Sequence, residues 1–339
     1  MATMSKTRAA DVRVEGLSLE LDEPGVAVGE AQRLVRDVSF GVAAGEMVGL
    51  AGESGSGKSL TASAIAGLMP SGVRRAGGTI LIGAEVCPPG HRHPDVAMIF
   101  QNPMTSLNPS VRIGDQIAEA VRLRHKGTSR SAARKRAVEI LEQVEVSQAA
   151  SRARQYPFEF SGGMRQRAMI GIAIARDPAV LVADEPTTAL DVTVQRGVMD
   201  LIDRLRTDLG LAVLLISHDL GVMSERCDRL LVMYSGELVE VGGTRQVLDQ
   251  PAHPYVDGLL RCIPDRAMAA GRLQPLLGQV PPPNRWISGC RFADRCGSAT
   301  PACESAPVPL APLSPSAQGR EVRCIHPLTP ATAGERSAR

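Results

Sequence analysis

Short runs of hydrophobic residues alternate along the chain with longer stripes in which hydrophobic residues recur every three or four positions. The runs predict strands and the stripes predict helices. The predicted strands are 12–14, 38–42, 47–51, 79–82, 96–100, 179–183, 212–216 and 229–233. The clearest stripe consists of Val194, Val198, Leu201, Leu205 and Leu209. Strands that alternate with helices predict an α/β fold with a mainly parallel sheet, and the first strands predict an additional antiparallel lobe.

The middle of the chain has an almost wholly helical pattern. Ile113, Ile117 and Val121 share one helix face, and comparable spacing continues to about Arg176. We interpret residues 102–176 as a helical insertion in a main domain that spans residues 11–262. Beyond Pro264 proline and small residues become frequent, which predicts a separate, loosely structured extension at 265–327 and a disordered tail at 328–339.

The composition narrows the class of protein. Of the 339 residues 44% are hydrophobic, enough for a large core, and the formal net charge is only +2, so the charge balance does not predict nucleic-acid binding. The first ten residues lack the apolar core of a secretory signal, and no apolar run approaches the roughly 18 to 20 residues of a membrane span. We therefore expect a soluble cytoplasmic chain that reaches a membrane only through a partner.

A phosphate-binding loop is predicted between the third strand and the helical run that follows it. The segment 52–59 fits the pattern Gly, any four residues, Gly-Lys-Ser, whose glycines let backbone N–H groups turn toward phosphate oxygens. Lys58 supplies a charge to the outer phosphates and Ser59 offers a hydroxyl to Mg²⁺. A Gly-Ser linker that carries a lysine is the simpler alternative. The predicted phosphate contacts are Gly52, Ser54, Gly55, Gly57, Lys58, Ser59 and Leu60.

Two carboxylates follow a second buried strand. Val180 to Ala183 lead directly into Asp184 and Glu185. In nucleotide hydrolases the first such carboxylate holds Mg²⁺ and the second polarises the attacking water. The alternative is that both acids are exposed and cap the next turn.

Four further segments complete a set of motifs that resembles the ATP-binding subunits of ABC transporters. Phe160 to Gln166 resembles the signature Leu-Ser-Gly-Gly-Gln, with Phe160 in place of Leu, and Gln101 matches the glutamine loop. Ala189-Leu190-Asp191 matches the D-loop and His218 matches the switch histidine. Taken singly, His218 and Gln101 have ordinary structural interpretations. The resemblance covers residues 11–262 and implies an ABC-type P-loop ATPase core with a helical subdomain.

This resemblance implies ATP and Mg²⁺ as cofactors and a head-to-tail pair of ATPase subunits. ATP would lie between the phosphate loop of one subunit and Ser161, Gly162 and Gly163 of the other, with Asp191 nearby. Glu185 would act as the base, His218 would contact the γ-phosphate, and Gln101 would sense Mg²⁺ or water. The family usually stacks adenine on an aromatic residue before the phosphate loop, but residues 26–31 contain none. We therefore expect aliphatic contact with adenine.

Three segments are similar to the oligopeptide and dipeptide permease ATPases within this family. They are Gln101 to Pro109, Ala183 to Thr193, and His253-Pro254-Tyr255. The similarity implies a peripheral subunit on the cytoplasmic face of the inner membrane. Its partners would be a second ATPase, two transmembrane permease subunits and an extracytoplasmic solute-binding protein, with no nucleic acid. The alternatives are an importer of nickel or another small solute, a soluble ABC ATPase that acts on DNA or ribosomes, and a nucleotide-dependent regulator.

Four of the seven cysteines, Cys290, Cys296, Cys303 and Cys324, lie near the end of the chain. Their spacing is similar to that of the cysteine-bearing extension of peptide-permease ATPases. Four thiolates in a segment with little core of its own suggest a metal that stabilises it. The wide spacing favours a [4Fe–4S] cluster over zinc, because structural zinc sites have tighter pairs. Free thiols are the third possibility.

Overall fold

The computed structural model describes residues 10–102, 106–188, 190–262, 276–314 and 319–328. Its strands are β1 Val12–Leu21, β2 Arg33–Val42, β3 Met47–Ala51, β4 Val73–Ile82, β5 Glu85–Val86, β6 Val96–Ile99, β7 Val180–Asp184, β8 Ala212–Ile216, β9 Arg229–Tyr234, β10 Glu237–Gly243, β11 Ala311–Pro312 and β12 Glu321–Val322. Its helices are α1 Lys58–Ala66, α2 Ile113–Arg124, α3 Arg130–Gln143, α4 Ala149–Arg152, α5 Gly162–Ile174, α6 Val192–Leu209, α7 Leu220–Arg226, α8 Thr244–Asp249, α9 Pro254–Arg261 and α10 Ala302–Ser305.

The main sheet has the strand order β11-β12-β10-β9-β3-β8-β7-β6. Strands β9, β3, β8, β7 and β6 run parallel, and every residue of β3, β7 and β8 is buried. Continuous apolar strands of this kind need cover on both faces, which the flanking helices and the second sheet supply. The carboxyl ends of β3, β8 and β7 therefore lie side by side at one edge of the sheet.

A second sheet packs on this core. Its strand order is β2-β1-β4-β5 and all its pairings are antiparallel. Side chains of both sheets share one hydrophobic cluster that includes Val14, Val35, Leu50 and Val182. The predicted fold class, a mainly parallel sheet with an antiparallel lobe, is confirmed.

Helices α2 to α5 lie between β6 and β7 in the chain. α2 packs closely on α3, and α5 contacts both of them. Ile117, Ile140, Leu141 and Ile170 are buried in the cluster that joins these helices to the main sheet. Whether the insertion begins at 102 and ends at 176 stays a prediction.

The described part of the C-terminal extension packs on the main sheet. β12 pairs antiparallel with β10, so it continues the sheet beyond β10, on the side away from β9. Arg320 donates a hydrogen bond to the buried carboxylate of Glu240 at 3.0 Å. This contact joins the described part of the extension to the main sheet. The domain boundaries and the disordered tail stay predictions, because residues 263–275 and 329–339 lie outside the described residues. Within the described ranges, the structure contains no helix long and apolar enough to span a bilayer.

Candidate active site

The phosphate loop connects the buried end of β3 to the start of α1. Gly52 has φ 146°, and a Cβ at this position would lie 2.2 Å from the carbonyl oxygen of Met233. Only glycine fits this combination of conformation and close approach. Ser54 and Gly55 are exposed on the loop, and Ser59 and Leu60 lie in the first turn of the helix. The N–H groups of that turn are free to bind an anion.

The ammonium group of Lys58 is buried beneath the loop. Its Nζ donates hydrogen bonds to the carbonyl oxygens of Gly52 at 2.9 Å and Glu53 at 2.8 Å. Burial lowers the pKa of Lys58, although the charges of Glu185, Asp184 and Glu53 act in the opposite direction. The ammonium group of Lys58 and the carboxylates of Asp184 and Glu185 thus lie near the first turn of α1.

Asp184 ends β7 and lies next to this turn. Its Oδ1 accepts a hydrogen bond from Ser59 Oγ at 3.2 Å. Burial raises the pKa of Asp184 and the charge of Glu185 adds to the rise, while Ser59 and Lys58 oppose it. A buried carboxylate and a hydroxyl in contact are oxygen ligands of the kind that Mg²⁺ prefers. These residues therefore fit a magnesium ion.

The carboxylate of Glu185 is the point where three segments meet. It accepts hydrogen bonds from Gln101 Nε2 at 2.8 Å and Thr188 Oγ1 at 2.8 Å, and His218 Nδ1 lies 3.3 Å from its Oε1. Glu185 has φ 47°, a conformation that is costly for a residue other than glycine. Its N–H donates to the carbonyl oxygen of Ile216 at 2.9 Å, which holds the strained backbone against β8.

Thr188 had no predicted role. It lies three residues after Glu185, and this spacing is the signal in the sequence. The turn between the two residues is closed by a hydrogen bond of 3.2 Å from the Thr188 N–H to the Glu185 carbonyl oxygen. The hydroxyl donates to the same carboxylate oxygen, Oε2, as Gln101 does, whereas His218 lies at Oε1. The neighbouring Ala189 lies outside the described residues.

The signature segment lies apart from this group. Ser161 is the N-cap of α5 and its Oγ accepts a hydrogen bond from the Met164 N–H at 3.4 Å. A Cβ on Gly163 would lie 2.6 Å from Val194 Cγ1, so the glycine permits the close packing of α5 on α6. Asp191 caps α6 by accepting a hydrogen bond from Val194 N at 2.9 Å. Among the described residues, no hydrogen bond joins Ser161, Gly162 or Gly163 to the phosphate loop.

The prediction of an iron–sulfur cluster is wrong. The four C-terminal cysteines line one narrow cavity together with His253 and Phe292, yet the described residues contain no group of three or more His, Cys, Asp or Glu able to hold a metal ion. Burial raises the pKa of Cys290 and of Cys324 to about 11, so both are neutral thiols at pH 7. Cys303 Sγ accepts a hydrogen bond from Thr300 N at 3.5 Å. The described residues offer no support for zinc either, and none of the seven cysteines forms a disulfide there.

A phosphate loop beside two strand-end carboxylates, on a mainly parallel sheet with a helical subdomain, defines an ATP-binding cassette. A family model described as ABC transporter matches residues 35–188. A second, described as oligopeptide/dipeptide transporter, C-terminal region, matches residues 239–303.

Individual relatives agree with these matches. The chain is 44% identical over 332 residues to a Brucella abortus protein whose name describes a peptide import ATP-binding protein, with 95% of this chain and 96% of that protein covered. It is 43% identical over 300 residues to the oligopeptide transport ATP-binding protein OppD of Salmonella typhimurium, with 87% and 88% covered. A solved dimer of the cassette MJ0796 bound to ADP and Pi matches with a TM-score of 0.59 at 25% identity, covering 69% of this chain and 99% of that chain. The chain belongs to the family of ABC transporter ATP-binding proteins, which are ATPases.

Proposed function

We propose that the chain is the ATP-hydrolysing subunit of an ABC importer for oligopeptides or dipeptides. Its relatives carry names of peptide import and oligopeptide transport proteins over most of its length. The match of residues 239–303 to the C-terminal region of oligopeptide and dipeptide transporters supports the same substrate class. The observation that carries the catalytic part of the proposal is the convergence of Gln101, Thr188 and His218 on Glu185.

Each of these residues has a role in the proposed reaction. Glu185 accepts a proton from the attacking water, and its hydrogen bonds to Gln101 and Thr188 fix the carboxylate in one orientation. His218, with an exposed side chain, reaches toward the γ-phosphate. Lys58 supplies its ammonium charge to the β- and γ-phosphates from within the loop. The aliphatic contact with adenine remains part of the proposal, since Val26 to Ala31 contain no aromatic ring.

Ser59, Asp184 and Gln101 are the proposed holders of Mg²⁺. The ion, when bound, neutralises negative charge that develops on the transferred phosphoryl group. Burial disfavours the ionised form of Asp184. A bound cation would stabilise that form. Ser59 contributes a hydroxyl oxygen beside it.

The signature segment is proposed to serve a nucleotide held by another subunit. Ser161, Gly162 and Gly163 begin α5, a 13-residue helix whose N-terminal N–H groups form an anion site. Since no hydrogen bond in the described residues joins this site to the chain's own phosphate loop, we assign the nucleotide that it grips to a second ATPase, either another copy or a related chain. Asp191 lies at the start of α6, the helix on which α5 packs, so it is placed to respond when the signature segment binds that nucleotide.

The remaining partners are two transmembrane permease subunits and an extracytoplasmic solute-binding protein. The chain itself would sit on the cytoplasmic face of the inner membrane, bound to the permease subunits. Closure of the ATPase pair on ATP would then be transmitted to the membrane subunits, and hydrolysis would reopen the pair.

Reconstitution tests this function. The full chain is assembled with the second ATPase and the membrane subunits in proteoliposomes, the solute-binding protein is added outside, and uptake of a labelled tripeptide is measured with ATP inside. We expect uptake that needs ATP and stops with Glu185→Gln. Uptake of ⁶³Ni²⁺ in place of peptide would contradict the substrate class. Failure of the chain to bind membranes that contain the permease subunits would contradict transport altogether.

A further inference from the structure

In the described residues, an arginine of the C-terminal extension is hydrogen-bonded to Glu53 of the phosphate loop. Arg295 donates two hydrogen bonds to the Glu53 carboxylate, from Nη1 to Oε2 at 2.7 Å and from Nη2 to Oε1 at 3.0 Å. The N–H of Glu53 donates to Tyr255 Oη at 2.8 Å. The carbonyl oxygen of Glu53 accepts a hydrogen bond from Lys58 Nζ at 2.8 Å. Glu53 therefore connects the phosphate-binding lysine directly to the C-terminal part of the chain.

Arg295 is itself held in a fixed position. Its side chain is 6% exposed, its Nε donates to the carbonyl oxygen of Leu277 at 2.8 Å, and its Nη1 lies 3.3 Å from Tyr234 Oη. Burial alone would lower the pKa of Arg295, but the hydrogen bonds to Glu53 and Tyr234 outweigh it and raise the pKa. A bidentate pair whose arginine is shielded from solvent is stronger than an exposed ion pair.

Three aromatic rings support the same contact. The centroids of Tyr234 and Tyr255 lie 4.6 Å apart, and Phe292 packs on them at 5.3 Å and 5.5 Å. Phe292 belongs to the extension, whereas Tyr234 ends β9 and Tyr255 begins α9. This packing fixes the hydroxyl that accepts from Glu53. The loop is thereby bound to a rigid block that the extension completes.

We propose that Arg295 is a positioning residue of the ATP site, through which the C-terminal extension sets the affinity of the phosphate loop for nucleotide. The inference rests on the proposed ATPase function. Its physical basis is that a loop held in its binding conformation loses less conformational freedom when it closes on phosphate. Without the Arg295 contact, Glu53 and its carbonyl oxygen move, and Lys58 loses one of the partners that orient its ammonium group.

A matched pair of variants tests this inference. Arg320 also joins the extension to the core through a buried glutamate, Glu240, but neither residue contacts the phosphate loop in the described part of the chain. Binding of MgATP to the full chain is measured by calorimetry for wild type, Arg295→Gln and Arg320→Gln. We expect the dissociation constant of Arg295→Gln to rise about tenfold. We expect Arg320→Gln to lower the melting temperature and leave the dissociation constant unchanged.

Glu53→Gln and the double variant Glu53→Gln/Arg295→Gln complete the cycle. If Arg295 acts through Glu53, the double variant binds MgATP no more weakly than the weaker single variant. Hydrogen exchange of the amides at 53–57 should rise in Arg295→Gln and not in Arg320→Gln.

Equal loss of affinity in both arginine variants, or wild-type affinity in a folded Arg295→Gln, would overturn the inference. If Arg295→Gln does not fold, wild-type affinity in Glu53→Gln overturns it. Failure of the wild-type chain to bind MgATP would instead contradict the proposed function.

Discussion

The nucleotide site and the four-cysteine extension both carry spaced motifs, but the structure arranges them differently. In the nucleotide site, side chains from residues 59, 101, 184, 185 and 218 form three hydrogen-bonded contacts beside the phosphate loop. In the extension, four sulfurs line one cavity but make no metal-binding group in the described residues. The sheet accounts for the difference. Parallel strands bring their carboxyl ends to one edge, whereas irregular loops impose no ligand geometry on the cysteines they carry.

The comparison also shows that the two regions are not independent. Arg295 lies next to Cys296 in the extension and holds Glu53 of the phosphate loop. The aromatic block of Tyr234, Tyr255 and Phe292 lies between the extension and the phosphate loop. The structure therefore indicates a mechanical role for the extension, through its arginine and its aromatic residue.

The largest expected effect concerns the nucleotide site. Glu185→Gln removes the proposed base while leaving an amide of the same shape, so hydrolysis should fall by at least about 10²-fold. Affinity for MgATP should persist, because the phosphate loop is unchanged. Phosphate release by the assembled transporter measures the rate, with exposed Glu139→Gln as the control. Hydrolysis that survives in Glu185→Gln would refute the assignment of the base.

The two glycines of the signature segment separate packing from binding. Gly163→Ala places a Cβ 2.6 Å from Val194 Cγ1, whereas Gly162→Ala meets only Leu190 Cδ2 at 3.5 Å. We expect Gly163→Ala to cost about 1–3 kcal/mol of unfolding free energy. Gly162→Ala should leave the free chain about as stable as wild type. Urea denaturation of both variants measures this, and equal stabilities would show that the α5–α6 packing is described wrongly.

A smaller, pH-dependent effect is expected where α9 begins. Burial lowers the pKa of His253 to about 3, and its Nδ1 accepts a hydrogen bond from Tyr255 N at 3.1 Å. As the pH drops through about 6.5, His253 takes up a proton in the unfolded state but stays neutral in the native state. The free energy of unfolding therefore falls below about pH 6.5. Between pH 6.5 and 5 the loss should be about 1–2 kcal/mol.

His253→Asn keeps an N-cap acceptor but has no ring to titrate. Its stability should therefore change less than that of wild type over the same pH interval, whatever its absolute value. Thermal denaturation across that interval gives both slopes. Parallel slopes for the two proteins would mean that His253 is not kept neutral by burial.

The strands that carry the candidate site could be predicted from the sequence more completely than those of the C-terminal half. The strands β3, β7 and β8 are continuous apolar runs, so both their positions and their parallel pairing could be inferred. β10 was missed because Glu237 and Glu240 interrupt its apolar pattern. Both glutamates are buried, paired with Arg291 and Arg320 from residues far along the chain. Burial raises the pKa of Glu240 despite its partners.

Contacts that depend on distant partners were equally hidden. The similarity at His253-Pro254-Tyr255 pointed to a subgroup of the family, but nothing in the sequence showed that the Tyr255 hydroxyl reaches Glu53. Arg295 lies 242 residues from Glu53, and no periodicity links the two positions. Only the folded packing of the extension on β9 and β10 brings them together.

We propose that two ATPase subunits bind one nucleotide between them, with the phosphate loop of one subunit on one side and the Ser-Gly-Gly segment of the other subunit on the opposite side. Photolabelling tests it most directly. The assembled transporter, with Glu185→Gln in this chain, is loaded with an ATP analogue that carries a photoreactive group on the γ-phosphate, and labelled peptides are identified by mass spectrometry. We expect label on residues 52–59 of one ATPase and on residues 161–163, or their counterpart, of the other. Label confined to the phosphate loops would contradict it.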